Sequence, residues 1–220
     1  MSIGYGLLVT GGGAAIIYVL WRSGLVALVP VALGVFALVG PLLALGLYEA
    51  SRRLEAGEKP ALLPVRMKAR HAPEQVAYIG FFLLFAALVW VLLAMGLYAI
   101  FTAGTYVPLD QFVTFALTTP QGLAMMTIGT LLGGAVAFSI FLLTVVSIPM
   151  LMNEEVDAFS GIGAGVRAFR ASPGVMLLWA WLIGIVIVGG FASFFIGLAV
   201  AFPLLGHATW HAYKDIRAAA

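Results

Sequence analysis

The feature that most constrains this chain is a series of long apolar runs without a charged residue, at 3–20, 25–48, 76–103, 122–149 and 174–206. A helix needs about 20 mostly apolar residues to cross a bilayer core, where helices satisfy their backbone hydrogen bonds internally. Charged residues make up 9% of the 220-residue chain, against about 25% in an average soluble domain. The sequence therefore predicts an all-α integral membrane protein with one transmembrane bundle over residues 1–220.

Basic residues set the expected orientation of this bundle. Six of the 11 lysines and arginines fall in the segment 49–75, whereas the segment 102–121 has none. The segment 153–173 contains Arg167 and Arg170. Because lysine and arginine in short loops mark the cytoplasmic side, we expect 49–75 and 153–173 inside, 102–121 outside, and both termini cytoplasmic.

The last apolar run, 174–206, allows one tilted helix or two short ones. Gly189, Gly190 and Ser193 favour a break, which would return Lys214 and Arg217 to the cytoplasmic side. The preferred prediction is six transmembrane helices in three hairpins, with interfacial helical segments on the cytoplasmic side. Their expected ranges are 3–20, 25–48, 76–103, 122–149, 174–188 and 191–206.

A weak repeat links three of the inward-going runs, which end at Pro41-Leu-Leu, Pro149-Met-Leu and Pro203-Leu-Leu. Polar residues recur eight and eleven positions after each proline, although three short matches could also arise by chance. Convergence of the three ends would create a polar ring at one depth, with Glu49 or Asp157 paired to a basic group of another hairpin. The predicted ring comprises Glu49, Arg52, Arg53, Asn153, Glu154, Asp157, His207 and His211.

Three stretches of the chain resemble a known family. These are GPLLALGLYEASRRLEAGE, SIPMLMNEEVDAFSGIGAGVRAFRASPGVMLLWAW and PLLGHATWHAY. They are similar to the bacterial integral membrane proteins catalogued as domain of unknown function 2189. The resemblance implies a multi-helix inner-membrane protein without assigned biochemistry. It also implies a polar amphipathic segment before the first helix, whereas this sequence opens almost directly at SIGYGLLV.

Candidate ligands for a metal are few. His207 and His211 share a helical face at i,i+4 spacing, but two histidines need further ligands, and histidines at a helix end also interact with headgroups and terminal carbonyls. We therefore predict no metal and no cofactor. The absence of cysteine excludes disulfides, thiolate sites and a cysteine nucleophile. Trp210 and Tyr213 are expected in the interfacial aromatic belt.

Other polar residues have structural interpretations. The basic loop from Arg52 to Arg70 could attract anionic lipid headgroups, at about 1 kcal/mol for each basic residue. Glu49 and Arg53 form an i,i+4 pair at what we expect to be a solvated helix end. Asn153 is a candidate N-cap for a helix whose first turn holds Glu154 and Glu155.

Small residues carry the packing predictions. Gly129 and Gly133 have the GxxxG spacing that lets membrane helices approach closely. The run GIGAG at 161–165 lacks the strand and the full fingerprint of a nucleotide site.

Ionisable residues are absent from the predicted helix cores, where ion-coupled transporters usually need them. We therefore predict a bacterial inner-membrane protein that is not an enzyme and acts as an accessory, assembly or lipid-organising protein. The expected partners are membrane lipids and another membrane protein or a second copy of the chain, and not nucleic acid. The alternative is a channel or carrier for a small neutral or apolar solute.

Overall fold

The computed structural model describes residues 1–59, 72–104 and 107–218, and these residues form helices and turns without a β-strand. The helices are α1 (Ser2–Arg22), α2 (Val29–Leu43), α3 (Leu45–Glu55), α4 (Ala72–Phe101), α5 (Leu109–Thr118), α6 (Pro120–Thr144), α7 (Ser147–Asn153), α8 (Ala158–Ala171), α9 (Pro173–Ala192) and α10 (Leu198–Ala218). A short 3-10 turn at Val26–Leu28 precedes α2.

Five segments of the described chain are long and apolar enough to cross a membrane: Ser2–Arg22, Val26–Glu55, Pro73–Phe101, Pro120–Asn153 and Pro173–Ala192. The predicted class, an all-α membrane protein, is confirmed. The stretch 174–206 is divided between α9 and α10 by a turn at 193–197. This turn starts at Ser193, the last of the three residues expected to favour a break, and four residues after Gly189. The C-terminal half of α10 is polar, and α10 is not among the five segments.

Prolines account for two irregularities that shape the bundle. Helix α6 ends just before Val145, whose carbonyl would have bonded to the N–H that Pro149 lacks. Pro203 likewise leaves the carbonyl of Ala199 without its usual partner inside α10. Gly6 of α1 lies against that carbonyl, so closely that a β-carbon at this position would collide with it.

Trp90 of α4 is held between α2 and α6, which both pack on α4. Its Nε1 donates to the carbonyl of Val31 at 3.2 Å. A β-carbon built on Gly133 would lie 2.8 Å from the Trp90 ring, and one on Gly34 would also strike that ring. A β-carbon on Gly129 would meet Leu97 at an ordinary 3.8 Å. The close approach predicted for the two glycines of α6 is therefore concentrated at Gly133.

Helix α8 runs back along α6 and α7. A β-carbon on Gly161 would meet Ser147, and one on Gly165 would meet the carbonyl of Leu142. The ring of Phe169 contacts that of Phe138 edge-on, with centroids 5.7 Å apart. Gly161 and Gly165 of GIGAG therefore serve helix packing.

The two ends of the bundle differ in character. At one end lies α5, an amphipathic helix within a segment expected to be a loop, where Phe112 and Ala116 pack with Met125 of α6. At the other end, α7 is almost wholly buried, α3 is buried from Gly46 to Ser51, and α10 packs against both. The N-terminus of α1 also reaches this second end, which we call the polar end; it comprises Ser2, residues 49–55, 153–160 and 207–217.

Candidate functional site: the polar end of the bundle

Glu49 is a carboxylate with no exposed side-chain surface. Arg52 forks onto it through Nε and Nη2, each at 2.8 Å, and Nε of Arg53 donates to Oε1 at 2.6 Å. Charge-assisted bonds of this kind offset the desolvation of a buried charge. The expectation that Glu49 and Arg53 form a solvated helix end is therefore wrong, because α3 is packed inside the bundle and its two arginines replace water.

His207 joins three helices. Its Nε2 lies 3.0 Å from the hydroxyl of Ser2 in α1, and its Nδ1 lies 2.6 Å from the hydroxyl of Ser51 in α3. Desolvation of the partly buried ring, followed by the Coulombic effect of the nearby His211, lowers the pKa of His207. Both ring nitrogens are occupied by hydroxyl partners, so this histidine acts as a bridge between the chain's beginning and its last helix.

The carboxylate of Glu55, at the end of α3, is contacted by three side chains of α10. The indole Nε1 of Trp210 donates to its Oε1 at 2.9 Å. His211 Nδ1 and Lys214 Nζ each lie 3.5 Å from its carboxylate. Trp210 is fully buried, so the prediction that it faces lipid in an aromatic belt is wrong: its apolar body fills the core while its N–H reaches a carboxylate.

Glu154 fixes the C-terminal turns of α10. Arg217 donates to it twice, from Nε at 3.0 Å and from Nη2 at 2.8 Å. The hydroxyl of Tyr213 donates to Oε1 at 2.7 Å and accepts from Nδ2 of Asn153 at 3.3 Å. Burial and the bond to Glu154 raise the pKa of Tyr213 to about 12, which keeps the phenol protonated as a donor. Tyr213 is 1% exposed, so it too lies inside the bundle and not in an aromatic belt.

Asp157 caps α8, and within the part of the chain that the structure describes its carboxylate bonds only inside α8. Its carboxylate accepts from the backbone N–H of Ser160 at 2.9 Å and from the Ser160 hydroxyl at 2.6 Å. These bonds hold the pKa of Asp157 below its usual range. Asn153 was the expected cap, and this prediction is wrong, because Asn153 ends α7 and the N-cap of α8 is Asp157, just before the first helical residue Ala158. Gln75 of α4 secures the same turn by accepting from the Ala158 N–H at 2.9 Å.

The structure brings the predicted ring residues to one end of the bundle, but with different partners from those expected. Glu49 pairs with arginines of its own helix, because side chains at i+3 and i+4 reach it without crossing a helix boundary. Among the described residues, neither Glu49 nor Asp157 pairs with a basic group of another hairpin, so the predicted pairing is wrong for this part of the chain. The contacts between hairpins are made instead by Glu55 and Glu154. The eight-residue offset after each proline also fails to mark equivalent positions, because Glu49 is buried, Asp157 caps a helix and His211 is 63% exposed.

Several residues of this network were not recognised in the sequence: Ser2, Ser51, Glu55 and Arg217. Hydroxyls and end-of-helix charges are common at membrane boundaries, and no local pattern shows that a partner 63 to 205 residues away will meet them. The spacing of Trp210, Tyr213 and Arg217 along one face of α10 was the available signal. Arg66, Lys68, Arg70 and His71 of the basic loop lie outside the described residues.

Chemically, four carboxylates at this end of the bundle are paired with donors, while Glu155 and Asp215 are exposed. Within the described chain, no three histidine, aspartate or glutamate side chains are grouped so as to hold a metal ion. The four carboxylates Glu49, Glu55, Glu154 and Asp157 each accept from at least two donors. The arrangement is suited to holding α1, α3, α7 and α10 together.

Comparison with known proteins gives one match. The family described as "Predicted integral membrane protein (DUF2189)" matches residues 28–153. This range runs from the start of α2 to the end of α7 and contains Pro41 and Pro149. No curated protein and no solved structure matches the chain. The family match covers more than half of the sequence and agrees with the apolar helices of the bundle. The chain belongs to this family of predicted integral membrane proteins, DUF2189.

Proposed function

We propose that the protein is a non-catalytic component of the bacterial inner membrane, which acts as an accessory or assembly subunit beside another membrane protein. The observation that supports this proposal is the hydrogen bonding of the carboxylates and of His207 at the polar end. The four carboxylates described above accept from donors on their own or neighbouring helices, and the two nitrogens of His207 are paired with Ser2 and Ser51. Catalytic and transport sites instead keep ionisable groups poised toward a cleft or pathway.

The outer surface of α9 supports a role in association. This helix packs mainly on α8 and α10, which leaves one stripe of large apolar side chains uncovered. Val175, Leu178, Trp181, Ile185 and Val188 are each between 48% and 66% exposed. Their spacing of three or four residues forms a continuous helical face that another transmembrane helix, or lipid chains, would cover.

The polar end is proposed to face the cytoplasm. The support is the distribution of basic residues, since Arg52, Arg53, Lys59 and Arg217 all belong to this end or to the loop beside it. Both described ends of the chain lie here, because Ser2 bonds to His207 of the last helix. Anionic headgroups beside the loop from Arg52 to Arg70 are part of the same proposal.

Photo-crosslinking from α9 tests the accessory role. A photoreactive amino acid at Trp181, which is 63% exposed, is expected to give an adduct with one membrane protein in stoichiometric yield. The matched control is Met176, five residues earlier on the same helix and 2% exposed, where no intermolecular adduct should form.

Adducts with other molecules would favour a different function. Adducts with lipid alone at Trp181 would favour a lipid-organising protein. Adducts between two copies of the chain would favour a homo-oligomer. Flux of a small neutral solute through liposomes that contain the pure protein would replace the accessory role by the channel or carrier alternative.

A further inference from the structure

The register between α1 and α10 locates the turn that precedes α10. Ser2 meets His207, Gly6 meets Pro203, and Gly13 meets the ring of Phe195. The two helices therefore run antiparallel, and α10 begins at Leu198 against the middle of α1. The outer half of α1, from residue 14 to 22, extends beyond this start.

The dimensions of α1 give the depth of the turn in the bilayer. Helix α1 has 21 residues and is therefore about 31 Å long, close to the thickness of a bilayer core. Gly13 lies about 14 Å from the Arg22 end of α1 at 1.5 Å for each residue. The turn at 193–197 is therefore near the middle of the span of α1. Helix α9 alone is long enough to cross the bilayer, so its length does not determine the depth of the turn. The depth follows from the contacts of the turn with α1 and α2.

Contacts with α2 agree with this depth. Phe195 lies edge-on to Phe36, with ring centroids 6.3 Å apart, and Phe191 lies 5.9 Å from the same ring. Phe36 is in the middle of α2. Above the turn, Ile16, Ile17, Ala32 and Leu33 line an apolar groove between α1 and α2, with Phe195 at its base.

The turn itself is built for an environment without water. Every backbone N–H from residue 193 to 201 has an acceptor within the turn or the flanking helices. Ser193 supplies the one side-chain partner: its hydroxyl donates to the carbonyl of Gly190 and accepts from the N–H of Gly197, both at 2.9 Å. Only backbone satisfied in this way is tolerated in hydrocarbon.

Residue choice in the turn agrees with this interpretation. Phe194 and Phe195 adopt positive φ angles of 51° and 68°, a conformation that water-exposed turns usually give to glycine or asparagine. Phe194 and Ile196 nevertheless point outward and are 89% and 77% exposed. Large apolar side chains at these positions fit a turn whose surroundings are lipid chains.

We propose that α9 and α10 form a re-entrant hairpin, whose turn ends inside the hydrocarbon and contacts acyl chains through Phe194 and Ile196. The chain leaves the polar end after residues 153–160 and is back there at residues 207–217, so α8, α9 and α10 together make no net crossing. The full crossings are then the segments Ser2–Arg22, Val26–Glu55, Pro73–Phe101 and Pro120–Asn153. This inference is independent of the accessory role proposed above.

Single cysteines in this cysteine-free chain test the proposal. Phe194→Cys and Ile196→Cys report on the turn, while Ser23→Cys and Ala218→Cys report on water at the two ends of the bundle. Each variant would be treated with a membrane-impermeant maleimide in right-side-out and inside-out vesicles, and again after denaturation in detergent. A thiol reacts as its thiolate, which does not form in hydrocarbon.

We expect each control to react in one vesicle orientation, and Phe194→Cys and Ile196→Cys to stay at the background of the cysteine-free chain in both. After denaturation, all four should react. Reaction of a turn variant in the orientation that labels Ser23→Cys would show that the turn emerges on the far side. Reaction in the orientation that labels Ala218→Cys would reveal an aqueous cavity, and either result would overturn the proposal.

A depth measurement provides the second readout. A fluorophore attached at Phe194→Cys before reconstitution should be quenched more strongly by lipids spin-labelled near the chain end than by lipids spin-labelled at the headgroup. The opposite order would overturn the proposal.

Discussion

The indole of Trp90 makes the two glycines of α6 unequal, although they share one sequence motif. Its ring lies between the backbones of α2 and α6, against Gly34 on one side and Gly133 on the other. A methyl group added at Gly133 would come to 2.8 Å from the ring, which has no room to retreat toward Gly34. A methyl group added at Gly129 would come to 3.8 Å from Leu97, which is an ordinary contact.

These distances set the expected magnitudes. Overpacking a filled contact by one methyl group costs about 1–3 kcal/mol, so Gly133→Ala should lower the free energy of unfolding by that amount. Gly129→Ala adds the same atoms to the same helix without a clash, and its effect should stay within about 0.5 kcal/mol. The two variants are matched in chemistry and differ in the neighbour that the new methyl group meets.

Thermal unfolding in a mild detergent, followed by circular dichroism, is the assay. Gly133→Ala should melt below wild type and Gly129→Ala close to it. Replacing Trp90 by phenylalanine removes the part of the ring that the new methyl group strikes, so the double variant with Gly133→Ala should be more stable than the sum of the two single changes predicts. Equal melting of the two glycine variants, or additive behaviour of the double variant, would refute the reasoning.

Three further predictions concern the polar end and the turn before α10. Glu49→Gln leaves two arginines without their carboxylate and should lower the melting temperature strongly, because breaking a buried ion pair costs about 3–5 kcal/mol, whereas the exposed Glu155→Gln should melt like wild type. Because the pKa of His207 is lowered in the folded state, unfolding takes up a proton in acid; stability should therefore fall as the pH drops below about 6.5, and His207→Gln should flatten this dependence in melts between pH 5 and 8. Ser193→Ala removes the partner of Gly197 N–H and should lower the free energy of unfolding by about 1–3 kcal/mol, measured in the same detergent assay; an unchanged melting temperature would count against a closed turn in lipid.

The membrane class could be predicted from sequence because it depends on composition along the chain. Residues 76–103 and 122–149 contain no charge, and no soluble arrangement of such helices covers its surface. Helix bounds were less predictable where proline acts through an earlier residue: the break at Val145 precedes Pro149 by four positions. Helix α5 was missed because its amphipathic pattern is short and lies in a segment expected to be a water-facing loop.

The polar end could be predicted only in outline. Convergence of polar residues followed from their position after apolar runs, but their partners depend on tertiary register. Glu49 looked solvated because sequence alone does not show that α10 packs on α3. Trp210 and Tyr213 looked interfacial for the same reason, although each is buried and bonded to a glutamate from another helix.

The central claim is that the beginning of the chain and its last helix are joined at the polar end. Crosslinking between cysteines at Ser2 and His207 tests it most directly, with a short bifunctional thiol reagent in native membranes and mass spectrometry of the linked peptides. Because Ser2 Oγ lies 3.0 Å from His207 Nε2, this pair should crosslink efficiently within one chain, whereas a control pair at Ser23 and His207 should not. Absence of the Ser2–His207 link, or equal crosslinking of the control pair, would contradict the account.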